Sequence, residues 1–314
     1  MTATATEVTT GSVRANGIDI HYVEAGEGPP LVLLHGGLVS TSPLWSDNPV
    51  AYQRHLATLS AGFRVIAPDT RGSGRTVHDG RPMTMNLLAE DVAALIEALD
   101  LDRPAVCGFS EGGMTATILA LTHPDSLGAL VNDAGFDTFN PSTPIFTQLR
   151  VVFGGSPEAT EADPDVAARS HAAMGLSDLF ATMQADQDAG QGEGHWRNYL
   201  RLFFERASRF PGYTYADRSG IEAPTLVLAG DRDMFCPVED VCRAYRELRQ
   251  GELQLVHVAV ITNLLRLRYR LQPAPAVQLD VCGNVRVPPV PVRDDVREDP
   301  AIAHQLLVAR ARQD

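Results

Sequence analysis

Apolar positions along the chain fall into two spacings, and the two alternate. Short unbroken runs occur in "LVLLHGG" (31–37), "FRVIAPD" (63–69), "PAVCGF" (104–109), "LGALVNDAG" (127–135) and "APTLVLAG" (223–230), each closing on turn-forming residues. A run of that length without polar alternation suits a strand buried on both faces. "MTMNLLAEDVAALIEALD" (83–100), "EGGMTATILALTHP" (111–124) and "VEDVCRAYREL" (238–248) instead repeat their apolar residues at helical spacing. "ELQLVHV" (252–258) predicts a further strand, and "SVRANGIDIHYVEAGEGPP" (12–30) alternates around Asn16-Gly17 as a hairpin does. Buried strands alternating with helices predict an α/β fold: a mostly parallel central sheet covered on both sides.

The alternation breaks twice. Residues 136–222 hold no buried-strand run, and "PDVAARSHAAM" and "GEGHWRNYLRLFFERASRF" within them read as helices. They are expected to form an inserted helical lid whose mobility gates access. The core is thereby divided into 1–135 and 223–257. Residues 258–314 carry eight arginines against six acids and repeated prolines, and neither periodicity survives there. This atypical tail is expected to pack poorly.

Composition narrows the function. The 314-residue chain carries a formal charge of -13, and its 26 basic residues are all arginine. So acidic a chain disfavours nucleic acid as a partner. No stretch approaches 18 uninterrupted apolar residues, and the first residues lack the basic and apolar regions of a signal peptide. Cys107, Cys236, Cys242 and Cys282 show no C-x-x-C pairing or zinc-type spacing, which fits reduced thiols in the cytoplasm. A small-molecule substrate is the expected partner, with no membrane; the sequence is silent on oligomeric state.

"AVCGFSEGG" (105–113) places Ser110 between Gly108 and Gly112, with a predicted strand running in and a helix running out. G-x-S-x-G alone is a weak signal; in that context it describes a sharp turn that presents a serine hydroxyl above a sheet, at a helix N-terminus. Here the chain resembles the α/β-hydrolases over about residues 10–257. "HGG" (35–37) resembles the family's oxyanion turn, "DTRGSGRT" (69–76) its D-x-R-G-x-G-x-S loop, and "LVLAGDRDMFCP" (227–237) its acid-bearing turn. The resemblance implies a serine hydrolase with no metal or organic cofactor, acting on a small ester, amide or related acyl substrate. It implies Ser110 as nucleophile and the amides of Gly37, with Leu38, and Glu111 as the oxyanion hole. Three residues after Gly230 stands Asp233, the implied acid; Asp231 is the alternative, one of the pair being free to cap the following helix. His35 is expected to be structural, and Glu111 reads as a solvated first-turn acid that contributes through its backbone. Epoxide hydrolases and haloalkane dehalogenases carry aspartate at the nucleophile position and are disfavoured. Cofactor-free haloperoxidases and C–C bond hydrolases share the serine elbow and stay open.

The family's histidine is expected near position 261, which is isoleucine. His257 is the nearest candidate base; His171, His195 and His304 lie in the insertion and the tail. A reading frame slipped near codon 258 accounts for both the missing base and the tail. If the codons of Val258, Val260 and Ile261 end in C and that of Ala259 in G, the shifted frame reads Arg-Gly-His-His. A divergent tail is the plain alternative. Without a base, the chain is a non-catalytic or impaired binding protein of hydrolase fold.

Overall fold

The computed structural model describes residues 7–43, 56, 58–135, 150–155, 161–212, 215–231, 233 and 236–256. His257, Ile261, His304, Cys282 and the whole 258–314 tail lie outside these residues.

Eight strands form one sheet: β1 (Val8–Ala15), β2 (Ile18–Ala25), β3 (Pro30–Leu34), β4 (Arg64–Pro68), β5 (Ala105–Phe109), β6 (Ala129–Asp133), β7 (Thr225–Gly230) and β8 (Gly251–Val256). Their order across the sheet is β1-β2-β4-β3-β5-β6-β7-β8. The hairpin β1–β2 pairs Ala15 with Ile18 across Asn16 and Gly17, whose φ values of 44° and 81° are those a tight two-residue turn demands. It joins β4 antiparallel, and every neighbouring pair from β4 to β8 is parallel.

Why the central strands read as continuous apolar runs is visible in their packing. Leu31, Leu33, Val65, Ala67 and Cys107 face one side, where Leu56, Leu59 and Phe63 cover them. Val32, Leu34, Ile66 and Val106 face the other side, under α1 (Met85–Ala98) and α2 (Glu111–Thr122). Each fully buried side chain of this size contributes about 1.5–3 kcal/mol. Between β6 and β7 come α3 (Pro164–Ala173), α4 (Ser177–Gln191), α5 (His195–Arg209) and the short α6 (Tyr215–Arg218); α7 (Val238–Glu247) links β7 to β8. The sequence reading anticipates α3 and α5 but not α4.

Polar contacts hold α4 against the loops that follow β3 and β4. On α4, the Asp186 carboxylate accepts from Ser40 Oγ at 2.9 Å, and Gln187 both accepts from the Gly74 amide (3.0 Å) and donates to Ser73 Oγ (3.1 Å). Gly190 lies so close to the Gly74 carbonyl that a Cβ there would overlap it.

Arg71, fully buried, ties three elements together. Its Nε and Nη2 donate to the two Asp91 carboxylate oxygens on α1 at 2.7 and 2.6 Å, and Nη2 also donates to the Asn16 carbonyl in the hairpin turn at 3.2 Å. Burial pushes the Asp91 carboxyl up, and the Arg71 hydrogen bonds only partly offset this. Arg71→Met leaves that carboxylate buried without its cationic partner, only the Asn16 side-chain amide still donating to it at 2.6 Å, and is expected to cost about 3–5 kcal/mol in urea denaturation. A loss below 1 kcal/mol would remove Arg71 from this role.

Arg71 Nη1 also pairs with Asp79 at 2.7 Å. Burial raises the Asp79 carboxyl, but hydrogen bonds from Arg71 and Arg81 outweigh it and hold the group at about 2. A depressed carboxylate stabilises the fold above its unfolded value, and that contribution disappears as pH falls from 3.8 towards about 2. Asp79→Asn is therefore expected to flatten the acid limb of a pH–stability curve in that window. An unchanged limb would contradict the assignment.

Candidate active site

The C-terminal ends of the parallel strands share one edge of the sheet, where α/β folds place their chemistry. Ser110 follows β5 directly and immediately precedes α2. Its backbone stands at φ 51°, ψ −116°, a conformation that costs an L-residue roughly 1–3 kcal/mol and persists only when its surroundings impose it. They do so from both sides: the Ser110 amide donates to the Asp133 carbonyl at 2.8 Å, and its carbonyl accepts from Met114 at 3.0 Å. A Cβ on Gly108 would overlap the Gly112 carbonyl, and one on Gly112 would come within 2.5 Å of the Leu34 carbonyl. The two glycines are thus what lets strand, turn and helix pass so close. The Ser110 side chain makes no capping bond to α2, and the residue is half-buried.

Ten of the twelve residues of α2 are buried, Glu111 among them. This corrects the expectation of a solvated acid. Glu111 is 2% exposed and paired with Arg206 of α5, which is fully buried: Arg206 Nη2 donates to Oε2 at 2.8 Å, and Nε donates to Oε1. Burial works against the Arg206 cation, but the Glu111 carboxylate beside it raises its pKa above the ordinary value. As the first residue of α2, Glu111 has an amide N–H that no helix carbonyl can accept.

On the facing side, the turn after β3 carries Gly37 and Leu38. The Leu38 amide is already engaged, donating to Tyr199 Oη at 2.7 Å. Leu38 therefore drops out as an available donor, and Gly37 remains. Burial pushes the Tyr199 hydroxyl well above its usual pKa, so it is neutral. His35 holds the turn: its Nδ1 bonds the Gly36 carbonyl at 2.7 Å, and its Nε2 accepts from the Thr70 amide at 3.1 Å. The Thr70 hydroxyl also lies 3.3 Å from Nε2, so both ring nitrogens are engaged within the turn.

Asp233 is 7% exposed and follows β7, two strands along from Ser110's strand. Its Oδ1 accepts from the Cys236 amide at 3.1 Å, which shapes the turn leading into α7. Asp231 is less deeply buried. β8 lies parallel beside β7 over Gly251–Val256, and His257 lies outside the described residues. Of the two inserted histidines, His171 is buried with its Nδ1 on the Ala167 carbonyl at 2.8 Å, and burial lowers its pKa. His195 Nε2 contacts the Gly72 carbonyl at 3.1 Å. Among the described residues, no group of three or more His, Cys, Asp or Glu side chains could hold a metal ion, and no helix is long and apolar enough to cross a membrane.

Sequence reasoning missed Tyr199 and Arg206. One signal was available: positions 199, 203 and 206 share a face of α5, and a charged residue on an otherwise aromatic face asks for a buried partner.

A mostly parallel sheet with a serine elbow at its C-terminal edge defines an α/β protein of hydrolase type. The comparisons agree. The chain belongs to the alpha/beta hydrolase fold family, whose profile matches residues 29–259. Epoxide hydrolase 3 of Siraitia grosvenorii is 32% identical over 147 residues, which is 46% of this chain and 44% of that protein, so the chain spans less than half the length of this relative. The 2-hydroxy-6-oxononadienedioate/2-hydroxy-6-oxononatrienedioate hydrolase of Paraburkholderia xenovorans is 28% identical over 249 residues, 76% of this chain and 82% of that one. Among solved structures, a meta-cleavage product hydrolase (CumD) A129V mutant superposes with a TM-score of 0.64 at 19% identity, over 82% of this chain and 92% of that one. The relatives are hydrolases, and the last match speaks for the fold alone.

Proposed function

We propose that the protein is a cytoplasmic serine hydrolase acting on a small ester, amide or related acyl substrate. The strained Ser110, held at the mouth of β5 with its hydroxyl uncommitted to a helix cap, is the observation that carries the reading. Ser110 Oγ attacks the acyl carbon as its proton passes to the base, and the carbonyl electron pair moves onto oxygen. The amides of Gly37 and Glu111 donate to that oxyanion. Collapse expels the leaving group, which takes up the proton. Water then repeats the sequence and releases the acid and free Ser110. Asp233 orients the base, and His257 fills that role by default. The helices from 136 to 222 act as the lid that shapes the pocket and excludes water.

The epoxide hydrolase likeness favours an epoxide substrate less than its identity suggests, because Ser110 stands where the family resemblance puts aspartate in epoxide hydrolases. The longer match, to a hydrolase whose name specifies a 6-oxo substrate, supports attack on a carbonyl and keeps C–C bond hydrolysis as the second reading. A fluorophosphonate probe tests the common step: an activated Ser110 is labelled, with the adduct mapping to the peptide containing it. No adduct at Ser110 leaves a hydrolase fold that binds without reacting.

A further inference from the structure

One face of α5 reaches both halves of the proposed oxyanion hole. Tyr199, Phe203 and Arg206 lie on successive turns of that face, four and three residues apart. Tyr199 Oη accepts the Leu38 amide proton at 2.7 Å, Phe203 lies where any Cβ on Gly37 would fall, and Arg206 holds the Glu111 carboxylate. The stack is tight: the Arg206 guanidinium carbon sits 4.6 Å above the Phe203 ring and 5.5 Å from that of Tyr199, and Phe153 stacks on Phe203 at 3.7 Å. All of these side chains are buried.

This arrangement meets a difficulty that the sequence creates. The residue after the nucleophile is to offer its amide to a developing negative charge, yet its own side chain is a buried carboxylate. Two negative charges a few ångströms apart in a water-poor site oppose one another strongly; at ~6 Å and an effective dielectric constant of about 20, the opposition corresponds to a rate factor on the order of 100. A guanidinium held on both carboxylate oxygens removes most of it.

Resting on Ser110 as the nucleophile, we propose that Arg206 and Tyr199 are positioning residues for the oxyanion hole. Arg206 cancels the Glu111 charge beside the reacting atoms. Together with Tyr199, across Phe203, it fixes the separation of the Gly37 and Glu111 amides. The inserted helix is thereby part of the catalytic frame as well as a cover.

The test measures kcat and KM for p-nitrophenyl butyrate, together with Tm, in the parent, Ser110→Ala, Arg206→Met, Glu111→Gln, the double variant Glu111→Gln/Arg206→Met, and Tyr199→Phe. Arg206→Met is expected to lower kcat about 10- to 100-fold with KM within about twofold. The double variant, with no charge left at the site, is expected to recover kcat to within about fivefold of the parent. Tyr199→Phe, which strands the Leu38 amide, is expected to lower kcat about 5- to 10-fold. If Arg206→Met does not fold, Glu111→Gln against the double variant decides: with Arg206 present and unopposed, Glu111→Gln should be the faster by at least about threefold. A folded Arg206→Met with the parent's kcat, or a double variant as slow as Arg206→Met while melting like the parent, overturns the proposal. So does equal kcat for Glu111→Gln and the double variant. Turnover that survives in Ser110→Ala sinks the nucleophile reading itself. Turnover that needs Ser110 but ignores Arg206 sinks only the positioning role.

Discussion

Ser110→Ala should abolish hydrolysis of p-nitrophenyl acetate and butyrate while the protein stays folded. Where the base is in place the loss should be at least about 10³-fold, because removing the nucleophile of such a unit leaves only what the oxyanion hole and substrate binding contribute; in a chain without the base the same substitution costs far less, the triad acting as a unit. Stability should barely change. The contacts that fix residue 110 are backbone bonds, to the Asp133 carbonyl and from the Met114 amide, and alanine keeps both. The hydroxyl makes no helix cap whose loss would register. Esterase rate and melting temperature measured on the same preparation check both halves. Activity retained within a few-fold would take Ser110 out of the mechanism, whatever its backbone strain.

The second large effect concerns the base. As written, the chain has isoleucine near the position where the family's histidine is expected, and His257 alone stands close in sequence. Loss of the histidine from a serine triad costs several orders of magnitude in turnover. A chain with its frame restored after codon 257 is therefore expected to hydrolyse p-nitrophenyl butyrate at least about 10³-fold faster than the chain as given, and to melt higher. The higher melting point would follow if a tail with a consistent apolar face replaces 258–314. The opposite outcome is equally definite. A given chain that is already fast, and that His257→Ala inactivates, makes His257 the base and ends the frame-slip account.

The strands were legible because burial on both faces leaves a one-dimensional trace: Leu31 to Leu34 cannot alternate when Leu31 and Val32 both meet a covered side. α5 was legible for a related reason, since Trp196, Tyr199, Leu200, Phe203 and Ala207 recur at helical spacing. α4 was not. Its inward-facing residues include Asp186 and Gln187, whose partners Ser40, Ser73 and Gly74 are more than a hundred positions away, so no apolar stripe announces it. The elbow showed the same division. Gly108, Ser110 and Gly112 form a local pattern readable as written. The fate of the Glu111 side chain depends on Arg206, 95 residues on, and only the fold supplies it.

β6 and β7 are hydrogen-bonded neighbours in the sheet, so everything between them leaves from one strand and returns to the next. In evolutionary terms that stretch is a cassette. It can lengthen, shorten or be replaced without moving the register of any strand, and neither Ser110 nor Asp233 travels with it. On the proposed function, pocket shape can drift on the cassette while the proposed reacting groups are inherited separately. The exchange carries a condition, however. A transplanted cassette must bring its own equivalents of Asp186 and Gln187 to dock on the recipient's loops. A recipient with glutamate after its nucleophile also needs an arginine delivered to the place that Arg206 occupies. Chimeras between relatives of this family should succeed or fail along that line, sorted by whether the residue after the serine and the arginine of the incoming helix arrive as a matched pair.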